Sequence, residues 1–351
     1  MTPTLSVVLP THNEATHLPH TIDALVDAVR ASSFDTELIV VDDGSTDDTA
    51  SVVEQVSAGR IPLRLIRQPN RGRFEARRVG VQESSRELVL LLDSRVVLSP
   101  GALHFVAERL SLGERVWTGH VEVAADGNPY ALFWKLIAEL AWDDYFAEPR
   151  TTQFDAATFD RFPKGSGCFV APRTLLLEAI ESFRSRYAET RYVNDDTPLL
   201  RWVAERTPIH VSPEFSAVYA PRTHFRTFVR HSFRRGIVFL DGHGRAESRF
   251  YLAALSFYPA SLLLAAATLR RPVVAPLAAA AVSAAAGTFA LKRRRTRREV
   301  AALAALAPVY AFAHGAGMWR GLSLIVRKGS GTTFSRVGGD RAASESDARS
   351  S

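Results

Sequence analysis

The sequence predicts an α/β domain on a mixed, largely parallel sheet with helices on both faces, followed by C-terminal transmembrane helices. Three observations carry this expectation. Leu88 to Leu98 reads LVLLLDSRVVL, with five apolar residues in succession before Asp93, the pattern of a strand buried on both faces. Ahead of it, apolar runs alternate with helical periodicities, the order that gives parallel strands joined by crossover helices. After residue 249 the mixed composition gives way to long stretches of Ala, Leu and Val broken by short basic clusters, as lipid-facing protein requires.

The chain has 351 residues, enough for one large domain or two ordinary ones with a sizeable core. Its formal net charge of +6 favours anionic partners such as nucleotides, phosphorylated lipids or a membrane surface. Nucleic acid is set aside as a partner, because no recognised nucleic-acid motif accompanies the basic residues. The single cysteine, Cys168, excludes an internal disulfide or a cysteine metal cluster within one chain and reads as a small buried residue. No basic, apolar, cleavable leader precedes the first strand at Leu5, so no secretory signal peptide is expected.

Leu5 to Leu9 forms the first strand, ended by Pro10, and a helix with Leu18, Ile22, Leu25, Val26 and Val29 follows the His12-Asn13-Glu14 loop. Glu37 to Val41 is a second buried strand running into Asp42, Asp43 and Gly44. Two carboxylates before a tight turn can accept hydrogen bonds from ribose hydroxyls or a base N–H; the next helix is expected to start at Ser45, Thr46 or Asp47, all good N-caps. Leu63 to Ile66 is the third strand, and the Asn70-Arg71-Gly72-Arg73 loop leads into a helix carrying Arg77. Arginines in a first helical turn oppose the helix dipole, which points to a bound anion. The fourth strand ends at Asp93-Ser94-Arg95, where open α/β sheets bind ligands.

The succession VVLPTHNE, VVDDGSTDDT, NRGRFEARRVGV and LLLDSR resembles the nucleotide-sugar half of the family 2 glycosyltransferases, the inverting, Rossmann-like GT-A fold. The resemblance covers about the first hundred residues. It implies that Pro10, Thr11, Asn13 and Glu14 line the base and ribose pocket, that Asp42 and Asp43 hold base and ribose, and that Arg77 lies near the donor. Asp93 matches the first carboxylate of the family's metal-binding DxD motif, which holds Mg2+ or Mn2+ against the sugar diphosphate. At the third position stands Arg95, which supplies no metal ligand. Three readings follow: Arg95 clamps the diphosphate with its guanidinium fork, Asp93 keeps a metal with other ligands, or catalysis has been lost.

Val116 to Val123 reads as a strand, and Tyr130 to Phe146 is a helical aromatic stretch, more often core than lipid-binding surface, with Trp134 or Trp142 as the interfacial alternative. Lys164-Gly165-Ser166-Gly167 lacks Walker spacing and resembles the strand entry that lines the family's acceptor pocket. Asn194-Asp195-Asp196 resembles the family's ED motif, whose second acid is the base. Asp196 is therefore the expected base, with Asp195 beside it to raise its pKa; helix capping is the plain alternative. Arg222, Arg226, Arg230 and Arg234 recur every four residues and are expected to form one helical stripe. His231 to Arg235 occupies the place of the family's QxxRW signature and matches it at Arg234, which puts His231, Arg234 and Arg235 beside the diphosphate and acceptor.

Tyr251–Leu269, Pro272–Leu291 and Val300–Val326 are each long enough to span about 30 Å of hydrocarbon. The loop Lys292 to Arg298 between the second and third is strongly basic, which places it and the catalytic domain in the cytoplasm. His314 and Arg320 weaken the third span and leave an interfacial segment as the alternative. The expected organisation is a donor half over 1–110, an acceptor half with a basic amphipathic segment over 111–249, two or three membrane helices over 250–328 and a disordered tail over 329–351. The reading is an inverting transfer of sugar from a nucleotide diphosphate to a lipid-linked or glycan hydroxyl. A nucleotidyltransferase and a catalytically inactive nucleotide-sugar-binding membrane partner are the alternatives.

Overall fold

A computed structural model describes residues 2–194, 196–244, 248 and 250–331. Asp195 and the tail beyond Gly331 lie outside the described residues. The chain opens with β1 (Thr4–Thr11), α1 (Leu18–Arg30), β2 (Asp35–Asp43), α2 (Thr49–Ser57), β3 (Leu63–Gln68), α3 (Arg73–Glu83) and β4 (Leu88–Leu92). These four strands are parallel, in the order β3-β2-β1-β4. Leu5, Val7, Leu88, Leu90 and Leu92 pack with Ile22 and Leu25 of α1 on one face. Val8, Val89 and Leu91 pack with Val81 of α3 on the other. Because successive side chains alternate faces and both faces are covered, every residue of β4 is apolar.

Pro10 does not end β1. The ladder to β4 stops at Val8, so from there β1 is paired only with β2 and a residue without an N–H can be carried to Thr11. Helix α2 starts at Thr49, later than its capping residues suggested. Ser45 and Asp47 instead accept from the backbone N–H groups of Asn13 and Ala15, at 2.9 and 3.3 Å, and so tie the two strand-end loops together.

After β4 the chain turns at Asp93 and continues through β5 (Val96–Leu98), α4 (Ala102–Leu110), β6 (Trp117–Val123), α5 (Pro129–Ala141), α6 (Asp143–Ala147), β7 (Thr152–Phe154), β8 (Cys168–Pro172), α7 (Arg173–Ser182), α8 (Asp196–Ala204) and β9 (Ile209–Tyr219). Among the described residues the sheet has nine strands, in the order β3-β2-β1-β4-β8-β6-β9-β5 with β7 beside β9. It is mixed, as expected: the first four strands are parallel and so are β6 and β9, while β8 is antiparallel to β4 and β6, and β9 to β5 and β7. Cys168 pairs with Leu92 and Pro172 with Leu88, so β8 enters at the carboxyl edge of β4. That direction brings Ser166 and Gly167 to Asp93. Cys168 itself is buried, as expected, and burial pushes its thiol up to about 12.

The C-terminal layer comprises α9 (Phe225–His243), α10 (Tyr251–Arg270), α11 (Val274–Lys292) and α12 (Arg297–Gly331). The last three are long and apolar enough to cross a membrane. The aromatic stretch of α5 is core: Phe133 and Leu136 pack with Phe228 of α9 and with Leu303 and Leu306 of α12. Helix α12 differs from its two neighbours, since a third of its most apolar window is buried inside the protein against 6% and 11% for α10 and α11. It meets α9 through glycines. A Cβ on Gly236 would collide with the His314 carbonyl, and one on Gly317 with the Phe233 carbonyl. Farther along, Leu324 packs with Ile237 and Tyr187. By contrast Leu263, Leu269, Val273 and Leu277 on the α10–α11 hairpin are exposed. Helix α12 runs to Gly331, through the point where the tail was expected to begin.

Candidate active site

The first-half motifs meet at the carboxyl edge of β1, β2 and β4, but their side chains divide the work unequally. Asp43, 4% exposed, accepts hydrogen bonds from the Gln68 side chain at 2.7 Å and from the backbone N–H groups of Arg71 and Gly72 at 2.8 Å each. Both of its oxygens shape the loop into α3, rather than standing open to a ribose. Asp42 is still more buried, accepts from the Ser45 N–H at 2.9 Å and faces Arg67 Nε at 3.7 Å. Asn13 has a left-handed backbone (φ 55°), and its Oδ1 accepts from the Thr46 N–H at 2.8 Å. The Thr11 hydroxyl is buried with no hydrogen-bond partner among the described residues.

Arg95 does not turn toward Asp93 as a diphosphate clamp. Its Nε pairs with Glu14 at 2.8 and 2.9 Å, 81 residues away in sequence, and Arg222 Nη2 approaches the same carboxylate at 3.4 Å. Glu14 is 6% exposed, and a carboxylate so buried needs counter-charge. Arg222 precedes α9 and so does not belong to the expected helical stripe.

A second cluster lies beside this one, built from α3, β4, the entry to β8 and the first turn of α8. Arg77, with its side chain 4% exposed, donates from Nη2 to Asp93 Oδ1 at 2.6 Å and approaches Asp196 Oδ1 from Nη1 at 3.3 Å. Arg73 reaches the same two acids, Asp196 Oδ2 at 3.1 Å and Asp93 Oδ2 at 3.7 Å. Arg77 also donates to the Ser166 hydroxyl, which in turn donates to Asp196. The Ser166 N–H bonds the same carboxylate oxygen at 3.2 Å. A Cβ on Gly167 would meet Asp93 Oδ2 at 2.8 Å, so only glycine lets this carboxylate sit where it does. Gly165 has open space around it. Arg73 was read from sequence only as part of an anion-binding basic loop, although its i, i+4 spacing to Arg77 already places the two on one helix face.

Adjacent acids were expected to raise the pKa of Asp196. Desolvation works in that direction, but the charges of Arg73 and Arg77 and the Ser166 hydrogen bonds outweigh it and hold the carboxyl well below the usual range. The site therefore carries an ionised Asp196.

The residues matching the QxxRW position separate. Arg234 Nη2 reaches the Arg191 carbonyl at 3.5 Å. Arg235 turns instead into the helical layer, over the Trp134 ring at 5.2 Å, because a guanidinium stacks well on an indole face. His231 packs edge-on against Trp134. Burial first, and then Arg235, Arg222, Arg234 and Arg73, push its imidazole down to about 3, so it is neutral.

A divalent cation does not fit this donor set. Mg2+ and Mn2+ require oxygen ligands, yet both Asp93 oxygens face guanidinium groups. Among the described residues no three His, Cys, Asp or Glu side chains are grouped to hold a metal. Each unit of charge brought to about 4 Å from a guanidinium costs roughly 4 kcal/mol at an effective dielectric of 20, twice over for a divalent ion.

Comparison with known proteins bears on this arrangement. The sequence pattern of Glycosyl transferase family 2 matches residues 6–182, just over half of the chain. The undecaprenyl-phosphate 4-deoxy-4-formamido-L-arabinose transferase of Pseudomonas fluorescens is 29% identical over 111 residues, 31% of this chain and 33% of that protein. The GalNAc(5)-diNAcBac-PP-undecaprenol beta-1,3-glucosyltransferase of Campylobacter jejuni is 32% identical over 129 residues, 36% of this chain and 40% of that one. The aligned region thus spans well under half the length of these curated relatives. Among solved structures, the mannosyltransferase PcManGT from Pyrobaculum calidifontis, in complex with GDP-Man and Mn2+, superposes with a TM-score of 0.54 at 17% identity, over 91% of this chain and 88% of that one, and shares the fold. The chain belongs to glycosyltransferase family 2.

Proposed function

We propose that this protein transfers a sugar, with inversion, from a nucleotide diphosphate donor to a hydroxyl of a lipid-linked or glycan acceptor at the cytoplasmic face of a membrane. The observation that carries the reading is the convergence of Asp196 with Asp93, Arg73, Arg77 and Ser166 at the carboxyl edge of the sheet, where α/β folds bind ligands. The acceptor oxygen bonds to the anomeric carbon from the face opposite the diphosphate. The anomeric C–O bond to the β-phosphate breaks, its electron pair leaves on the diphosphate, and the acceptor proton passes to Asp196. Diphosphate beside Arg73 and Arg77 draws their charge away from Asp196 and lets its proton affinity rise as the acceptor attacks. The partnerless Thr11 hydroxyl, Asn13, Glu14 and Asp42 are read as the base and ribose side of the pocket.

Both curated relatives described above are named for undecaprenyl-linked substrates, which supports a polyprenyl-type acceptor. Membrane attachment follows the same logic. The basic loop before α12 is held against the catalytic domain, Arg295 to Glu139 at 2.5 Å and Arg293 to Asp143. That supports placing loop and domain on one side, the cytoplasm by the positive-inside rule. The exposed α10–α11 hairpin is read as the inserted element, and α12, packed along α9 and α5, as an interfacial helix rather than a third crossing.

Purified protein incubated with a panel of nucleotide sugars and polyprenyl-diphosphate-linked glycan acceptors, which present sugar hydroxyls, tests the reading. Transfer to at least one acceptor, with the product of inverted anomeric configuration, is expected. Nucleotide binding without turnover on any donor would move the assignment to the inactive membrane partner.

A further inference from the structure

The site departs from the DxD arrangement in a way that has its own chemistry. Where two carboxylates and a divalent cation would meet the donor, one carboxylate is replaced by Arg95, which is committed to Glu14, and the other is covered by guanidinium groups. Those groups come from one helix face. Arg73 and Arg77 stand one turn apart on α3 and bridge Asp93 to Asp196 through ion pairs of 2.6, 3.1, 3.3 and 3.7 Å. Arg77 is buried while the Arg73 side chain is 44% exposed, so the pair runs from the floor of the site to its mouth. Arg73 lies in the first turn of α3, where its charge opposes the helix dipole and neither stabilises the helix nor is needed to neutralise Asp93 once Arg77 is in place.

Resting on the reading that the donor is a nucleotide diphosphate sugar, we propose that Arg73 and Arg77 bind its diphosphate directly and take the place of the divalent cation. Two guanidinium forks offer planar N–H pairs that match phosphate oxygens and keep their charge at any working pH. They meet the charge that develops on the diphosphate as the sugar leaves, which is the cation's electrostatic task. Asp93 holds Arg77 until the phosphates displace it and does not ligate a metal. Asp196 is linked to the donor through the same two side chains.

The test is calorimetric titration of the full-length protein in detergent with UDP and with GDP, once in EDTA and once in millimolar Mn2+. At least one nucleotide is expected to bind, with affinities in the two conditions within about threefold. Arg73→Gln, at a half-exposed position that should not disturb folding, is expected to weaken that binding by roughly tenfold or more, as loss of a charge-assisted contact does, while leaving the thermal unfolding midpoint in place. Binding seen in Mn2+ and abolished by EDTA, or unaffected by Arg73→Gln, overturns the arginine clamp and leaves the transferase reading standing. Failure of both nucleotides to bind in either condition overturns the donor assignment and the clamp with it.

Discussion

Helices α3 and α9 both carry arginines at a spacing of four residues, and they use them in opposite ways. On α3, Arg73 and Arg77 converge on two carboxylates at the sheet edge. On α9, Arg235 lies over Trp134, Arg234 reaches a backbone carbonyl, and the fourth member of the apparent stripe, Arg222, is not on the helix at all. Spacing fixes which face a side chain occupies, and what that face meets fixes the role. The side of α3 that bears the arginines meets ionised acids at a strand end. Helix α9 packs with α5 and α12, and the guanidinium groups of Arg235 and Arg234 serve aromatic packing and loop anchoring.

If that contrast is right, changes at the sheet edge act on chemistry and changes in the helical layer act on folding. Asp196→Asn carries the largest expected effect. Loss of a general base costs roughly a hundred- to ten-thousand-fold in transfer rate, while nucleotide affinity should stay within a few-fold; a parallel loss of binding and rate would instead make Asp196 structural. Gly236→Leu comes next. Its side chain would drive into the α12 backbone, and overpacking of this kind costs about 1–3 kcal/mol or more, visible as a lowered Tm in detergent. An unchanged Tm would show that α9 and α12 are not held together at this crossing.

A smaller effect distinguishes the two regions by pH. The His231 pKa is depressed to about 3 in the folded protein, so between that value and the ordinary 6.5 the unfolded chain binds more protons. Stability is therefore lost as pH falls through this window. Urea unfolding at pH 7 and pH 5 should show a drop for the parent that is reduced in His231→Gln. The Asp196 contribution, with its carboxyl held low by Arg73 and Arg77, is lost only at more acidic pH. An equal drop in parent and variant would place the titrating group elsewhere.

Much of the sheet edge was legible in the chain. The apolar run of Leu88 to Leu92, bounded by Asp93, announces a doubly buried strand because five successive residues alternate between two covered faces. Asp196, at the first turn of α8, could be found from an acid preceding a helix. What the sequence could not display was which partner each charge takes. Arg95 and Glu14 are 81 residues apart, and Arg77 and Asp196 are 119 apart; their pairing follows from burial, which local pattern does not encode. The antiparallel entry of β8 is equally silent in sequence, though it alone delivers Ser166 and Gly167 to Asp93. The third apolar helix has the length and composition of a membrane span, and what those do not display is that Gly236, Gly317 and Gly321 let α12 pack on α9 at backbone contact.

The measurement that tests the central claim most directly is the affinity of Asp93→Asn for the nucleotide diphosphate that the parent binds, taken in millimolar Mn2+. Removing the carboxylate that competes for Arg77 should leave binding unchanged or tighten it, since the guanidinium pair and not the acid receives the phosphates. A loss of tenfold or more in Mn2+ would contradict the account and return Asp93 to the role of metal ligand.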